Sequence, residues 1–410
     1  MNNKIIDFEL GASTSDNFSE VYADINKGIN QNGKLIPSRN GDTREFLDWK
    51  TTIGNPYKRC VGLNNRDVNI FFLLAEAIWI FCGNKDVAFL NIFNERMVDY
   101  SDDGEFFHAP YGWRLRHYGQ SSFPTDHGDI DPSRSNIDQI AVCLRMLEAN
   151  PEDRRVVAGI WNPELDLATK SKDLPCNDLL MFKIRDDKLN ITIENRSNDL
   201  HWGLVTNVFQ FSFIAEMMSL CLGRELGQQV HNSNSLHIYT SNPINEILLR
   251  NETSSGLNNG LYSICEAKKI DFNFENETAI LRLKEIDVCL NMIIKNLTMA
   301  FESNEISEQD LTYIKLKSPY LHYVFGLLYQ YILYKNAPKI DLSRITASKA
   351  ILSQTPKEYQ NLDIFTLALN FFIKRIKDIE TKEAILSELT TEVLDNPNLS
   401  KLLHKYIGNL

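Results

Sequence analysis

Residues 174–199 read LPCNDLLMFKIRDDKLNITIENRSND. Two runs within them, 180–184 (LMFKI) and 189–193 (LNITI), place an apolar side chain at every second position, the period of a half-buried strand. Asp186-Asp187-Lys188 falls between them and reads as a hairpin turn. Upstream, 155–161 (RVVAGIW) is a third β-like run. The segments 71–82 and 208–222 are apolar nearly all round, which predicts helices buried in a core. Antiparallel-style strands mixed with helices indicate an α+β fold.

The pattern changes after residue 245. RNETSSGLNNG (250–260) reads as a loop or boundary, and beyond residue 280 the spacing is helical throughout. The expected division is a mixed region 1–245, a connecting segment 246–280 and a helical region 281–410. Helices are predicted over 281–301, 319–334, 359–377 and 382–394, with Ser343 and Thr381 as N-caps. The helical region has no recognisable chemistry of its own and reads as a packing or oligomerisation element.

Bulk properties narrow the function. The chain has 410 residues, 43% of them hydrophobic, and a net charge of −11. A broad nucleic-acid surface needs clustered Lys and Arg and is not expected, whereas a phosphate pocket needs only a few arginines. The seven cysteines (60, 82, 143, 176, 221, 265, 289) are scattered, with no CxxC pair or Cys/His cluster. Neither structural zinc nor a disulfide framework is expected, no metal is indicated, and a reducing cytoplasm is the expected home. The start, MNNKIIDFELGASTSDN, lacks a basic segment followed by an apolar run, so no signal peptide is expected. No run of 18 apolar residues is seen, so no membrane span is expected.

Chemistry concentrates in five pieces: Asp153-Arg154-Arg155, Pro175-Cys176-Asn177, the segment from Glu194 to Asp199 (ENRSND), the segment from Gly203 to Asn207 (GLVTN), and the segment from His231 to Tyr239 (HNSNSLHIY). In this order and at this spacing they resemble thymidylate synthase and its relatives, the pyrimidine-nucleotide hydroxymethylases. The resemblance is dense over 153–240, looser over 38–120, and does not cover the C-terminal region. It implies a large mixed sheet with flanking helices, a homodimer, a pyrimidine nucleoside monophosphate as substrate and 5,10-methylenetetrahydrofolate as cosubstrate.

The chemistry explains the residue types. Adding a thiolate at C6 of a pyrimidine turns C5 into an enolate-like carbon that attacks a one-carbon donor. A thiol needs nearby positive charge to ionise at neutral pH. By resemblance Cys176 is the nucleophile and Arg196 the cation beside it. The same guanidinium can grip a phosphate bidentately. The further phosphate donors implied are Arg39 (with Arg44 as the alternative), Ser197, and the pair Arg154-Arg155, which in the family reaches into the partner's site. Asn207 should read the base, since a carboxamide matches uracil O4 and N3–H, although a flipped amide would pair with cytosine. His237 and Tyr239 resemble the pair that holds the sugar 3′-hydroxyl. Asp199 would bond the base edge or its water network. Glu76, inside an apolar helix, resembles the family's proton-shuttling glutamate, because a carboxylate there needs a partner or a task. Tyr111 resembles the tyrosine that helps remove the C5 proton.

Three features depart from the family. Asn177 stands where thymidylate synthases usually have His, Phe93 or Met97 occupies the position of a folate-facing Trp, and the helical region replaces the tail that closes over the folate. In a synthase the folate returns a hydride, whereas in a hydroxymethylase water adds instead. The expected activity is methylation of dUMP. The alternatives are 5-hydroxymethylation of a uracil or cytosine nucleotide, and a non-catalytic nucleotide-binding scaffold.

Overall fold

The computed structural model describes residues 5–7, 11–38, 41–61, 66–119, 136–245, 268–337, 340–359 and 362–376. Nine strands form one mixed sheet: β1 (Ile5–Asp7), β2 (Ala12–Ser15), β3 (Lys34–Ile36), β4 (Thr43–Ile53), β5 (Val157–Gly159), β6 (Asn177–Arg185), β7 (Lys188–Asn195), β8 (Asn198–Asp199) and β9 (Glu225–Tyr239). The order is β1-β2-β4-β9-β7-β6-β5, with β3 pairing β4 and β8 pairing β9. The predicted hairpin is present: Arg185 faces Lys188, and Asp186 and Asp187 both take positive φ (49° and 60°), the primed turn that matches strand twist. The predicted 155–161 strand shortens to β5. The long pair β4–β9, in register from Thr43 opposite Tyr239 to Ile53 opposite Gln229, was not predicted as such.

The helices are α1 (Phe18–Asn32), α2 (Ile70–Phe81), α3 (Val87–Phe93), α4 (Tyr111–Arg116), α5 (Gln139–Ala149), α6 (Pro163–Asp166), α7 (Val205–Leu222), α8 (Ala279–Ser303), α9 (Glu308–Lys317), α10 (Pro319–Asn336), α11 (Ile340–Gln354) and α12 (Asp363–Ile373). Helix α7 packs on β7 and β9 and is itself covered by α2, α5 and α8. Its buried Phe209, Phe211, Met217 and Met218 show why the sequence is apolar on every side. One π-turn, Leu200–Leu204, leads into it. The whole segment Leu200–Leu222 is long and apolar enough to cross a membrane, contrary to the sequence reading that found no such stretch. Within the fold 89% of its apolar window is buried, and Asn207, Gln210 and Glu216 hydrogen-bond other parts of the protein, as in the core helix of a globular fold.

Two corrections concern the C-terminal helices. The helix predicted from residue 359 starts at Asp363, because Pro356 begins a tight turn closed by Tyr359 N–H on its carbonyl at 2.8 Å, and Tyr359 stacks on Tyr323. The helix for which Ser343 was the predicted cap begins earlier, at Ile340. The predicted 382–394 helix and its Thr381 cap lie outside the described residues. Helices α10 and α12 pack on α2, and both halves contribute side chains to one continuous core.

Candidate active site

Cys176 sits one residue before β6, where a bulge lets Asp178 bow out of the β6–β7 register. Such bulges re-aim the neighbouring side chain. The Cys176 carbonyl accepts the Arg196 N–H at 3.0 Å, and its own N–H donates to the Tyr111 hydroxyl at 3.3 Å. Arg196 donates Nε to the Pro175 carbonyl at 2.8 Å and brings Nη2 to 3.8 Å from the Cys176 sulfur. The predicted thiol–cation pair is therefore formed, but its electrostatic outcome differs. Burial pushes the Cys176 thiol up, and the Arg196 charge offsets this only in part. Nearby Asp173, Asp178 and Asp199 push in the same direction as burial.

Tyr111 opens α4, which lies so close to α2 that a Cβ on Gly112 would meet the Ile80 carbonyl oxygen at 2.0 Å. Glycine at 112 is what lets Tyr111 approach the nucleophile. Burial holds its phenol well above the usual range.

Helix α7 organises the other side of the site. Asn207 and Gln210, three residues apart, share a face. Gln210 donates to the Glu76 carboxyl on α2. Burial pushes Glu76 up to about 8, with that hydrogen bond pulling the other way. Glu76 thus has the partner its apolar flanks demanded. Gln210 itself was missed, and its signal was a polar residue one helical turn after Asn207 in an otherwise apolar helix.

Asn207 is held by two other amides. Asn177 Nδ2 donates to Asn207 Oδ1 at 3.2 Å, and Asn207 Nδ2 donates to Asn198 Oδ1 at 3.3 Å. Asn198 Nδ2 in turn reaches Ser233 Oγ at 3.2 Å. All four residues are buried. Neither Asn198 nor this use of Asn177 was singled out from the sequence.

Asp199 lies opposite His237 in the β8–β9 pairing, joining two of the sequence motifs. Its Oδ1 caps the π-turn by accepting from the N–H groups of His201 and Trp202, while Oδ2 is buried with no partner among the described residues. That unmatched acceptor near the thiol suits the N–H-rich ring of a pterin or a base. His237 and Tyr239 stand two apart on β9 with ring centroids 5.5 Å apart at 85°. Ser197 is partly exposed.

Among the described residues, none of the remaining expected phosphate donors hydrogen-bonds the Cys176 loop. Arg155 is largely exposed, with its guanidinium on Asp153 at 2.7 and 3.0 Å, and Arg154 is exposed beside it. Arg39 lies outside the described residues. Its alternative, Arg44, donates to the Gly33 carbonyl at 3.1 Å at the end of α1. Phe93 is buried under the C-terminal helices and stacks on Tyr331 at 5.5 Å, so it faces the core, which leaves Met97 as the partly exposed member of that pair.

Known proteins place this arrangement. A family model described as thymidylate synthase matches residues 20–299. The chain is 39% identical over 223 residues to the deoxyuridylate hydroxymethyltransferase of Bacillus phage SP01, covering 54% of this chain and 57% of that protein. It is 37% identical over 205 residues to the protein of the same name from Pseudomonas phage M6, covering 49% and 54%. With that of Delftia phage PhiW-14 it shares 30% over 247 residues, covering 57% and 64%. The matches thus span between half and two thirds of these relatives. With the sheet, the cysteine loop and the five motifs in place, the chain belongs to the thymidylate synthase family.

Proposed function

We propose that this chain is a deoxyuridylate 5-hydroxymethylase, transferring a one-carbon unit to C5 of dUMP through a covalent Cys176 adduct. The observation that carries the reading is Cys176 set between the Arg196 guanidinium and the Tyr111 hydroxyl, with Asn207 hydrogen-bonded to both Asn177 and Asn198. The names of the relatives support hydroxymethylation better than the methylation expected from the sequence.

Cys176 Sγ forms the bond to C6, and the electron pair displaced from the C5=C6 bond makes C5 the nucleophile. Bound 5,10-methylenetetrahydrofolate supplies the methylene carbon. Tyr111, whose raised phenol stays protonated, holds the water that takes the C5 proton. As the C5 proton is lost, the bond from the new carbon to the folate nitrogen would break and tetrahydrofolate would depart, leaving an exocyclic C5=CH2. Water would add its oxygen to that carbon and release a proton, and Cys176 would leave C6 as thiolate as C5=C6 re-forms. Glu76, a neutral acid below about pH 8, donates toward the base carbonyl as charge builds there. Arg196 and Ser197 receive the phosphate, His237 and Tyr239 the sugar hydroxyl, and Asp199 the N–H groups of base or pterin. A homodimer goes with this reading, in which exposed Arg154 and Arg155, with Arg39, complete the partner's phosphate site.

Mass spectrometry of products from dUMP, dCMP, UMP and CMP with methylenetetrahydrofolate tests the proposal. Hydroxymethyl-dUMP with tetrahydrofolate is expected. Thymidylate with dihydrofolate would make the chain a synthase, and no product from any of the four would leave a nucleotide-binding scaffold.

A further inference from the structure

Asn207 offers a front edge, one lone pair and one N–H side by side, that can pair with a pyrimidine in either of two senses. With Oδ1 on one side the edge matches the N3–H and O4 of uracil; turned over, it matches the N3 and amino group of cytosine. The same amide also accepts from Asn177 through Oδ1 and donates to Asn198 through Nδ2, which leaves it one further lone pair and one further N–H. The chain ends at Ser233, whose hydroxyl can donate or accept equally well and so imposes no direction.

We propose that Asn177, the residue directly after the nucleophile, is a specificity-determining positioning residue: its Nδ2 donation fixes the sense of the Asn207 amide and so selects uracil over cytosine. Asn177 is fully buried, and its Oδ1 has no partner among the described residues. It touches no base atom; it acts by leaving Asn207 only one way round. The direction then runs on through Asn198 to Ser233.

The inference rests on the reading of the site as a pyrimidine-nucleotide pocket, but its test does not depend on turnover. An ionised carboxylate only accepts hydrogen bonds, so the same substitution at the two ends of the chain should have opposite effects. Asn177→Asp makes Asn207 turn its N–H outward to position 177 and reverses the whole chain, with Ser233 donating. Asn198→Asp accepts the Asn207 N–H as Asn198 does now and keeps the direction. The measurement is calorimetric affinity for dUMP and dCMP, at about pH 8.5 so that the new carboxyl is ionised, on variants whose near-ultraviolet circular dichroism matches the parent. The expected result is a fall in the dUMP:dCMP affinity ratio of roughly 5- to 100-fold in Asn177→Asp, with the ratio of Asn198→Asp near that of the parent. An unchanged ratio in folded Asn177→Asp, or equal losses in both variants, would overturn the proposal. If the parent binds both nucleotides but makes no hydroxymethyl product, the activity reading fails while this comparison still stands.

Discussion

Arg196 is tied to the loop that carries the nucleophile: its Nε holds the Pro175 carbonyl at 2.8 Å while Nη2 stands 3.8 Å from the Cys176 sulfur. The fork geometry of a guanidinium does both at once, which a lysine ammonium cannot. Arg196→Lys should therefore raise the Cys176 thiol further and slow its alkylation by iodoacetamide at pH 8 by roughly tenfold, about one pKa unit. Peptide mapping isolates the Cys176 signal from the other cysteines. Cys176→Ala should abolish turnover and leave dUMP binding intact, and a variant with normal turnover would sink the covalent mechanism.

Glu76 predicts a pH dependence with a definite sign. Its folded-state value of about 8 lies above that of an unfolded glutamate, so from about pH 4.3 to 8 the folded chain holds a proton the unfolded chain has lost. That stability is present in full below the window and is lost as pH rises through it. Glu76→Gln has no such titration, so its melting temperature should gain on the parent between pH 5 and 9 while turnover drops by about 100-fold or more. Gln210→Leu removes the one bond that lowers Glu76, and should move the alkaline limb of the rate profile upward. A limb that stays put would show that Glu76 does not set it.

Asn207→Asp should shift preference from uracil toward cytosine nucleotides, because an ionised carboxylate accepts from the cytosine amino group and has nothing to give O4. Relative kcat/KM for dUMP and dCMP reads this directly. Unchanged selectivity would remove Asn207 from base recognition.

Stability has its own test at the buried pair Arg59–Glu216. Glu216 is fully buried, accepts from the Arg59 guanidinium, and also accepts the Ile270 N–H at 2.7 Å, just ahead of the helical region. Glu216→Ala leaves a buried guanidinium and a backbone donor without their acceptor, and should cost about 3–5 kcal/mol in urea unfolding. A loss below about 1 kcal/mol would mean that water replaces the carboxylate.

Much of this was legible because local chemistry and tertiary position agree. Strand β7, and β6 beyond its Asp178 bulge, alternate buried and more exposed side chains, Asp186-Asp187 supplies the turn, and Glu76 stands out because its flanks are apolar. Other features were hidden for physical reasons. Strands β4 and β9 carry Asp48, Asn232, Ser233 and Asn234, so their pairing is set by register with each other and not by a hydrophobic signal. Helix α12 starts late because a turn after Pro356 intervenes. The upward shift at Cys176 could not be foreseen, since burial depends on the surrounding fold and the Arg196 charge does not. Asn177 looked like a missing histidine, and its partners become visible only when β6, β8 and α7 converge.

The Phe93 carbonyl accepts from both Asn69 Nδ2, the cap of α2, and the Tyr331 hydroxyl on α10, at 3.0 and 3.1 Å. Around the same spot Phe71 of α2 is ringed by Tyr331, Phe371 and Phe372 at 4.9 to 5.3 Å. The helix that carries Glu76 is thus braced from behind by residues more than two hundred positions further along. A chain cut after the family-like part would leave that aromatic nest open to water, and the acid it steadies would lose its backing together with the strength of the fold.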